Sequence, residues 1–169
     1  PVGLVKRLLL LLALVVPAVP GHAEPSTADA RTVLLLTRAL GYDRMLRKRA
    51  GDRVVVGVLE DPTHAAQSDK AREIREYLSS RDGLTVRGLP VECLSVAVDG
   101  DKPLESEIDR LEVDVLLLVD PPGTWDMSAI FDVTRATGTL TMSTDPDAVR
   151  HGAALGAAPD GSRIRLFVN

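Results

Sequence analysis

Two stretches limit most tightly what this chain can fold into: "VVVGVL", Val54–Leu59, and "VDVLLLV", Val113–Val119. Both are aliphatic at almost every position and lack the polar–apolar alternation of a strand with one wet face. A strand of that kind is covered on both sides, as in the middle of a parallel sheet packed between helices. Helical patterns separate the strand-like runs. Ala66–Arg81 puts Ala71, Ile74 and Leu78 on one stripe, Leu104–Leu111 is short and amphipathic, and a third helix covers Met127–Ala136. Leu89–Val98 and Thr139–Ser143 add strands, and Asp145–His151 a helical turn or two that His151-Gly152 stops. The last strands, Ala153–Ala157 and Ile164–Val168, are joined by "PDGS" and should pair antiparallel. The expectation is an α/β fold: a mostly parallel sheet with helices on both faces and an antiparallel edge hairpin at the C-terminus.

Upstream, Arg31–Arg49 reads as one helix, with Leu35, Ala39, Tyr42 and Leu46 at helical spacing and Leu36 and Leu40 widening the stripe. It ends in Arg44, Arg47, Lys48 and Arg49 before Gly51, where bases complement the helix dipole and glycine stops the helix. Alternatively, the same bases are a docking patch for an acidic partner or an anionic lipid. Before this helix, Lys6 and Arg7 precede an apolar run from Leu8 to Val19, too short to span a bilayer. Gly21 and Ala23 fit a signal-peptidase site. Residues 1–23 are therefore expected to be a cleaved signal peptide, residues 24–169 one exported domain, and the location periplasmic. Removing the leader leaves 18 bases against 24 acids.

That acidic balance and an aromatic content of 3% argue against a nucleic-acid partner. Cys93 is the only cysteine, so no intramolecular disulfide can form; in "VECLSVAV" it reads as a small core residue. There is no Gly-x-Gly-x-x-Gly, no Walker loop and no Gly-x-Ser-x-Gly elbow. Outside the leader, His64 and His151 have no zinc-site spacing, and neither a cofactor nor a metal is expected.

Chemistry in such a sheet gathers in the loops after its strands. Three of these loops carry an acid and a proline: Glu60-Asp61-Pro62, Asp120-Pro121-Pro122-Gly123-Thr124-Trp125, and Ser143-Thr144-Asp145-Pro146. The acids can cap the following helices. Alternatively, Asp61, Ser68, Asp120, Thr124 and Ser143 line a shallow cleft for a cationic or neutral polar ligand. Trp125 is either a partner anchor or a cap on the sheet edge. A hydrolase using Ser68 or Ser143 has only residue availability behind it.

"VDVLLLVDPP" followed by "GTLTMSTDPDAVRHGAALGAAPDGSRIRLFVN" resembles the YfiR family of periplasmic proteins. Leu140-Thr141-Met142-Ser143, Gly152 and Phe167-Val168-Asn169 occupy the places of the family's Leu-Thr-Val-Ser strand, helix-ending glycine and closing Phe-x-Asn. The resemblance implies a secreted α/β domain without catalytic activity, able to dimerise. It would bind the periplasmic part of an inner-membrane signalling protein, a diguanylate cyclase, and so lower cyclic di-GMP signalling. Three features depart from the family. "LGYDRMLRKRAGD" replaces an aromatic segment, the family's disulfide cysteines are absent, and this sequence stops at Asn169 where the family runs on into a helix. The expected mode of action is docking, through Tyr42, Arg47, Lys48 and Trp125. The alternative is a small-ligand receptor resembling one lobe of a periplasmic solute-binding protein.

Overall fold

The structure, a computed structural model, describes residues 25–97 and 103–169. The expected leader, residues 1–23, lies outside the described residues, as do the start of the expected domain at Glu24 and the end of the expected second strand at Val98. No helix among the described residues is long and apolar enough to cross a membrane.

The two apolar runs become β1 (Val54–Glu60) and β4 (Val115–Leu118), which pair in parallel at the centre of a seven-stranded sheet. Their alternate residues feed two cores. Val54, Val56, Val58, Val115, Leu117 and Val119 face one way, onto α1 (Thr27–Ala39) and α3 (Ala65–Ser79). Val55, Leu59, Leu116 and Leu118 face the other way, onto α4 (Leu104–Leu111), α5 (Met127–Thr137) and α6 (Asp147–His151). Two wet-free faces are the physical reason for the unbroken apolar runs.

On one side of this pair lies β3 (Leu89–Ala97), parallel to β1. The two-residue β2 (Thr85–Val86) pairs antiparallel with it at the edge. On the other side come β5 (Leu140–Ser143), β6 (Leu155–Asp160) and the antiparallel edge strand β7 (Arg163–Val168). The strand order is β2-β3-β1-β4-β5-β6-β7. The chain moves outward from β1 to β3 through α3, then crosses back to β4 through α4 on the opposite face. Right-handed crossovers require that change of face when the direction of travel reverses. The topological switch point therefore falls between β1 and β4, at their C-terminal ends.

The α/β architecture and the C-terminal hairpin stand as expected; Gly161, at φ 60°, begins the two-residue turn between Asp160 and Arg163. Two expectations need correction. The first helix does not run to Arg49. It stops at Ala39, continues as one 3-10 turn over Leu40–Tyr42, and resumes as α2 (Leu46–Ala50). Asp43 makes the break: it is extended, and its carboxylate accepts the Met45 N–H at 2.8 Å in place of a helical carbonyl. The buried apolar residues are thus Val33, Leu36, Ala39, Leu40 and Leu46, while Leu35 is half-buried and Tyr42 is 88% exposed. Likewise Cys93 is not fully enclosed in the core, because its strand, β3, has only the two residues of β2 outside it. Cys93 is accordingly half-buried, and burial still pushes its thiol up to about 12, so it stays protonated.

Candidate functional site

The expected ligand residues fall at the switch-point edge, but they do not line one open cleft. At the end of β1, Asp61 is buried and its carboxylate is saturated with donors. Oδ1 accepts from the Thr63 N–H at 2.9 Å and the Thr63 hydroxyl at 2.6 Å. Oδ2 meets His64 Nδ1 at 2.8 Å and accepts from the Trp125 indole N–H at 2.7 Å. Burial alone would raise the Asp61 pKa, but these donors outweigh it and hold the acid well below the usual carboxylate range. The far side of the imidazole continues the chain of contacts, with His64 Nε2 3.0 Å from Thr124 Oγ1. Asp61 and Thr124 are thus joined through His64, which lies sixty residues before Thr124 in sequence.

Beneath them sits Gln67, in the first turns of α3. Its amide donates to the carbonyls of Leu59, at 3.0 Å, and Val119, at 3.2 Å, and its oxygen accepts the Asp61 N–H at 3.1 Å. Parallel strands that diverge at a switch point leave backbone groups without ladder partners. Gln67 satisfies three of them and fills the crevice where ligands bind in many folds of this type.

Asp120 belongs to a second cluster. Its φ of 40° is left-handed, which aspartate tolerates better than most residues. Its N–H donates to Thr144 Oγ1, and the Thr144 hydroxyl donates back to its carboxylate, both at 2.9 Å. Lys70 reaches the other carboxylate oxygen at 2.5 Å and Asp29 of α1 at 3.4 Å. Desolvation lowers the Lys70 pKa, but the two acids outweigh it and raise the value overall. Ser143 is fully buried, donating to the Leu118 carbonyl at 3.2 Å and accepting the Asp145 N–H at 3.0 Å, so its hydroxyl is enclosed and engaged within the fold. Ser68 sits one turn into α3 and makes no side-chain hydrogen bond among the described residues. Asp145 precedes the first residue of α6 by a proline and accepts the Asp147 N–H at 2.9 Å, a turn bond that leads into the helix. Asp61 makes the same kind of bond to the Thr63 N–H but spends its remaining contacts on side chains, and the Asp120 carboxylate binds side chains alone.

Trp125 is half-buried, with its N–H spent on Asp61, and it packs against the second core. It caps the sheet edge and is not a free anchor. One wall of it lines a groove of about 300 Å³ with Leu104, Thr124, Ala129, Ile130 and Val133.

Tyr42, Arg47 and Lys48 lie at the opposite edge, where the chain enters β1, so the four expected partner residues form no single patch. Leu46 is fully buried and pins this segment. Asp43 stiffens it through an ion pair with Arg49 at 3.0 Å and a carbonyl that accepts from Arg87 at 3.0 Å. Outward from that anchor point Tyr42 and Met45, the latter 54% exposed. Arg44, Arg47 and Lys48 stand exposed beside them and form no ion pair among the described residues. A cavity of about 410 Å³ adjoins this edge, with Arg49, Arg53, Glu112 and Asp114 in its walls. Its charges are largely matched: Arg53 reaches Glu112 at 3.5 Å and, outside the cavity, Glu92 at 2.8 Å. Burial raises the Asp114 pKa although its carboxylate accepts the Val55 N–H at 2.9 Å.

The fold and this edge define a doubly wound α/β domain whose usual ligand crevice is closed by its own side chains. No protein-family model matches the chain, and no curated protein matches it significantly.

Proposed function

We propose that the chain is an exported regulatory domain that acts by docking, through the Tyr42–Lys48 segment, onto an inner-membrane signalling protein. The observation that carries this is the exposure of Tyr42 and Met45 beside three unpaired bases on a rigidly held segment. Tyrosine, methionine and arginine are enriched where proteins meet, and a rigid anchor loses little entropy on binding. The unpaired bases favour an acidic partner surface. The filled switch point also supports docking over a solute receptor, since a ligand there would have to displace Gln67. The YfiR-like order of strand motifs supplies the candidate partner, the periplasmic part of a diguanylate cyclase. On this proposal the domain restrains its partner by binding one of the partner's states more tightly than the other.

The test is complementation in the native bacterium. Deleting the gene should raise cyclic di-GMP, and the wild-type chain should lower it again. The Arg47→Glu/Lys48→Glu double variant should fail to restore the low level while accumulating to the same amount. Full restoration by that variant would remove the basic segment from the mechanism, and an unchanged level after deletion would remove the signalling partner.

A further inference from the structure

We propose that Thr124, His64 and Asp61 act as nucleophile, base and orienting acid in acyl transfer from neutral esters, with the acyl chain lying in the groove beside Trp125. This goes beyond docking and does not depend on it, because the two sites occupy opposite edges of the sheet.

The hydrogen-bond directions follow from the geometry. Every other contact of the Asp61 carboxylate is with a donor: the Thr63 N–H, the Thr63 hydroxyl and the Trp125 N–H. The carboxylate is ionised and can only accept, so His64 Nδ1, 2.8 Å away, carries the proton. Thr63 Oγ1 also lies 3.0 Å from Nδ1, but its own proton is committed to Asp61 and it offers Nδ1 only an acceptor. In the neutral ring Nε2 is then the lone-pair nitrogen. The Thr124 hydroxyl, 3.0 Å away, must donate to it. A hydroxyl donating to an imidazole whose other nitrogen is held by a buried carboxylate is the arrangement that activates serine nucleophiles, and threonine offers the same hydroxyl to it. Sequence order does not matter to it; geometry does.

The groove supplies the substrate class. Thr124 stands at its rim, and Leu104, Trp125, Ala129, Ile130 and Val133 make its walls apolar. About 300 Å³ is small for a ligand pocket and suits a short to medium acyl chain. Asp126 also lines it, so an anionic acyl group is disfavoured.

In the first step Thr124 Oγ1 bonds to the ester carbonyl carbon while His64 Nε2 takes the hydroxyl proton. The imidazolium, stabilised by Asp61, passes that proton to the departing oxygen, so an alcohol leaves and Thr124 is acylated. Water then bonds to the acyl carbon as Nε2 removes its proton. Thr124 leaves with the proton returned from the imidazolium, and a carboxylic acid is released.

The full chain is mixed with p-nitrophenyl hexanoate, following nitrophenol release and, after acid quenching, the protein mass. Release above the buffer rate is expected, falling about 100-fold in both Thr124→Ala and His64→Ala, the scale of general-base assistance. Thr124→Ser should retain release, and any hexanoyl adduct should map to residue 124. Thr124 is exposed, so its variants are expected to melt as wild type does. No release above buffer overturns the proposal. So does release that survives in Thr124→Ala, even if His64→Ala abolishes it, because the histidine would then be the nucleophile.

Discussion

At Gly57, in the middle of β1, an added β-carbon would lie 2.6 Å from Val96 Cγ2 and 2.9 Å from Val113 Cγ1. Both valines are buried, so neither has open space to yield into. Gly57→Ala should therefore cost about 1–3 kcal/mol, the usual penalty for overpacking a core. Urea denaturation measures it, and an unchanged midpoint would mean that α4 shifts to make room. Asp61 is the residue whose effect depends on pH. Its folded pKa lies below the ordinary value of 3.8. As pH falls past that ordinary value the unfolded chain takes up the proton first, so stability is lost between there and the lower folded value. Above it the contribution is fully present. Wild type should thus lose stability more steeply than Asp61→Asn as pH drops below about 4. Parallel curves would show that the donors around Asp61 do not favour its charge. At neutral pH the same variant should be less stable by about 2 kcal/mol, since the amide turns a donor toward groups that need an acceptor.

Among the elements, the N-terminal helix carries the clearest lesson. Periodicity over Arg31–Arg49 is real, yet the helix breaks because Asp43 offers Met45 a side-chain acceptor and Gly41 adds no helix propensity. Those local competitions were present in "LGYD" but look weak beside a run of leucines and bases. Asp43→Ala should loosen the segment, costing about 1 kcal/mol of stability and weakening docking more than that, which thermal melting and a partner-binding titration together would show. The central strands, by contrast, were legible because burial on two faces leaves an unbroken apolar run. β2 was not legible: two residues carry no pattern, and its turn uses Arg87, at φ 53°, where asparagine is usual. At the switch point Asp61 and Thr124 could be named from their loops. Their link through His64 could not, since a bond spanning sixty residues leaves no local trace. Gln67 was hidden for a different reason: a polar residue in a first helical turn reads as solvated, although here it satisfies three backbone groups.

Across the molecule the sheet separates two kinds of surface. Where β1 and β4 end, side chains bond to one another and close the crevice, leaving a small apolar groove beside the Thr124 hydroxyl. Where the chain enters β1, a pinned segment presents Tyr42, Met45 and three bases outward. On the docking proposal, partner recognition belongs to the second edge. Site-specific photocrosslinking in the native bacterium tests this most directly, with a benzophenone side chain at position 42 and a control at the exposed Ser128 on α5. Position 42 should crosslink to an inner-membrane protein with a periplasmic region, and position 128 should not. The same membrane protein captured equally from both positions, or none captured from position 42, would contradict it.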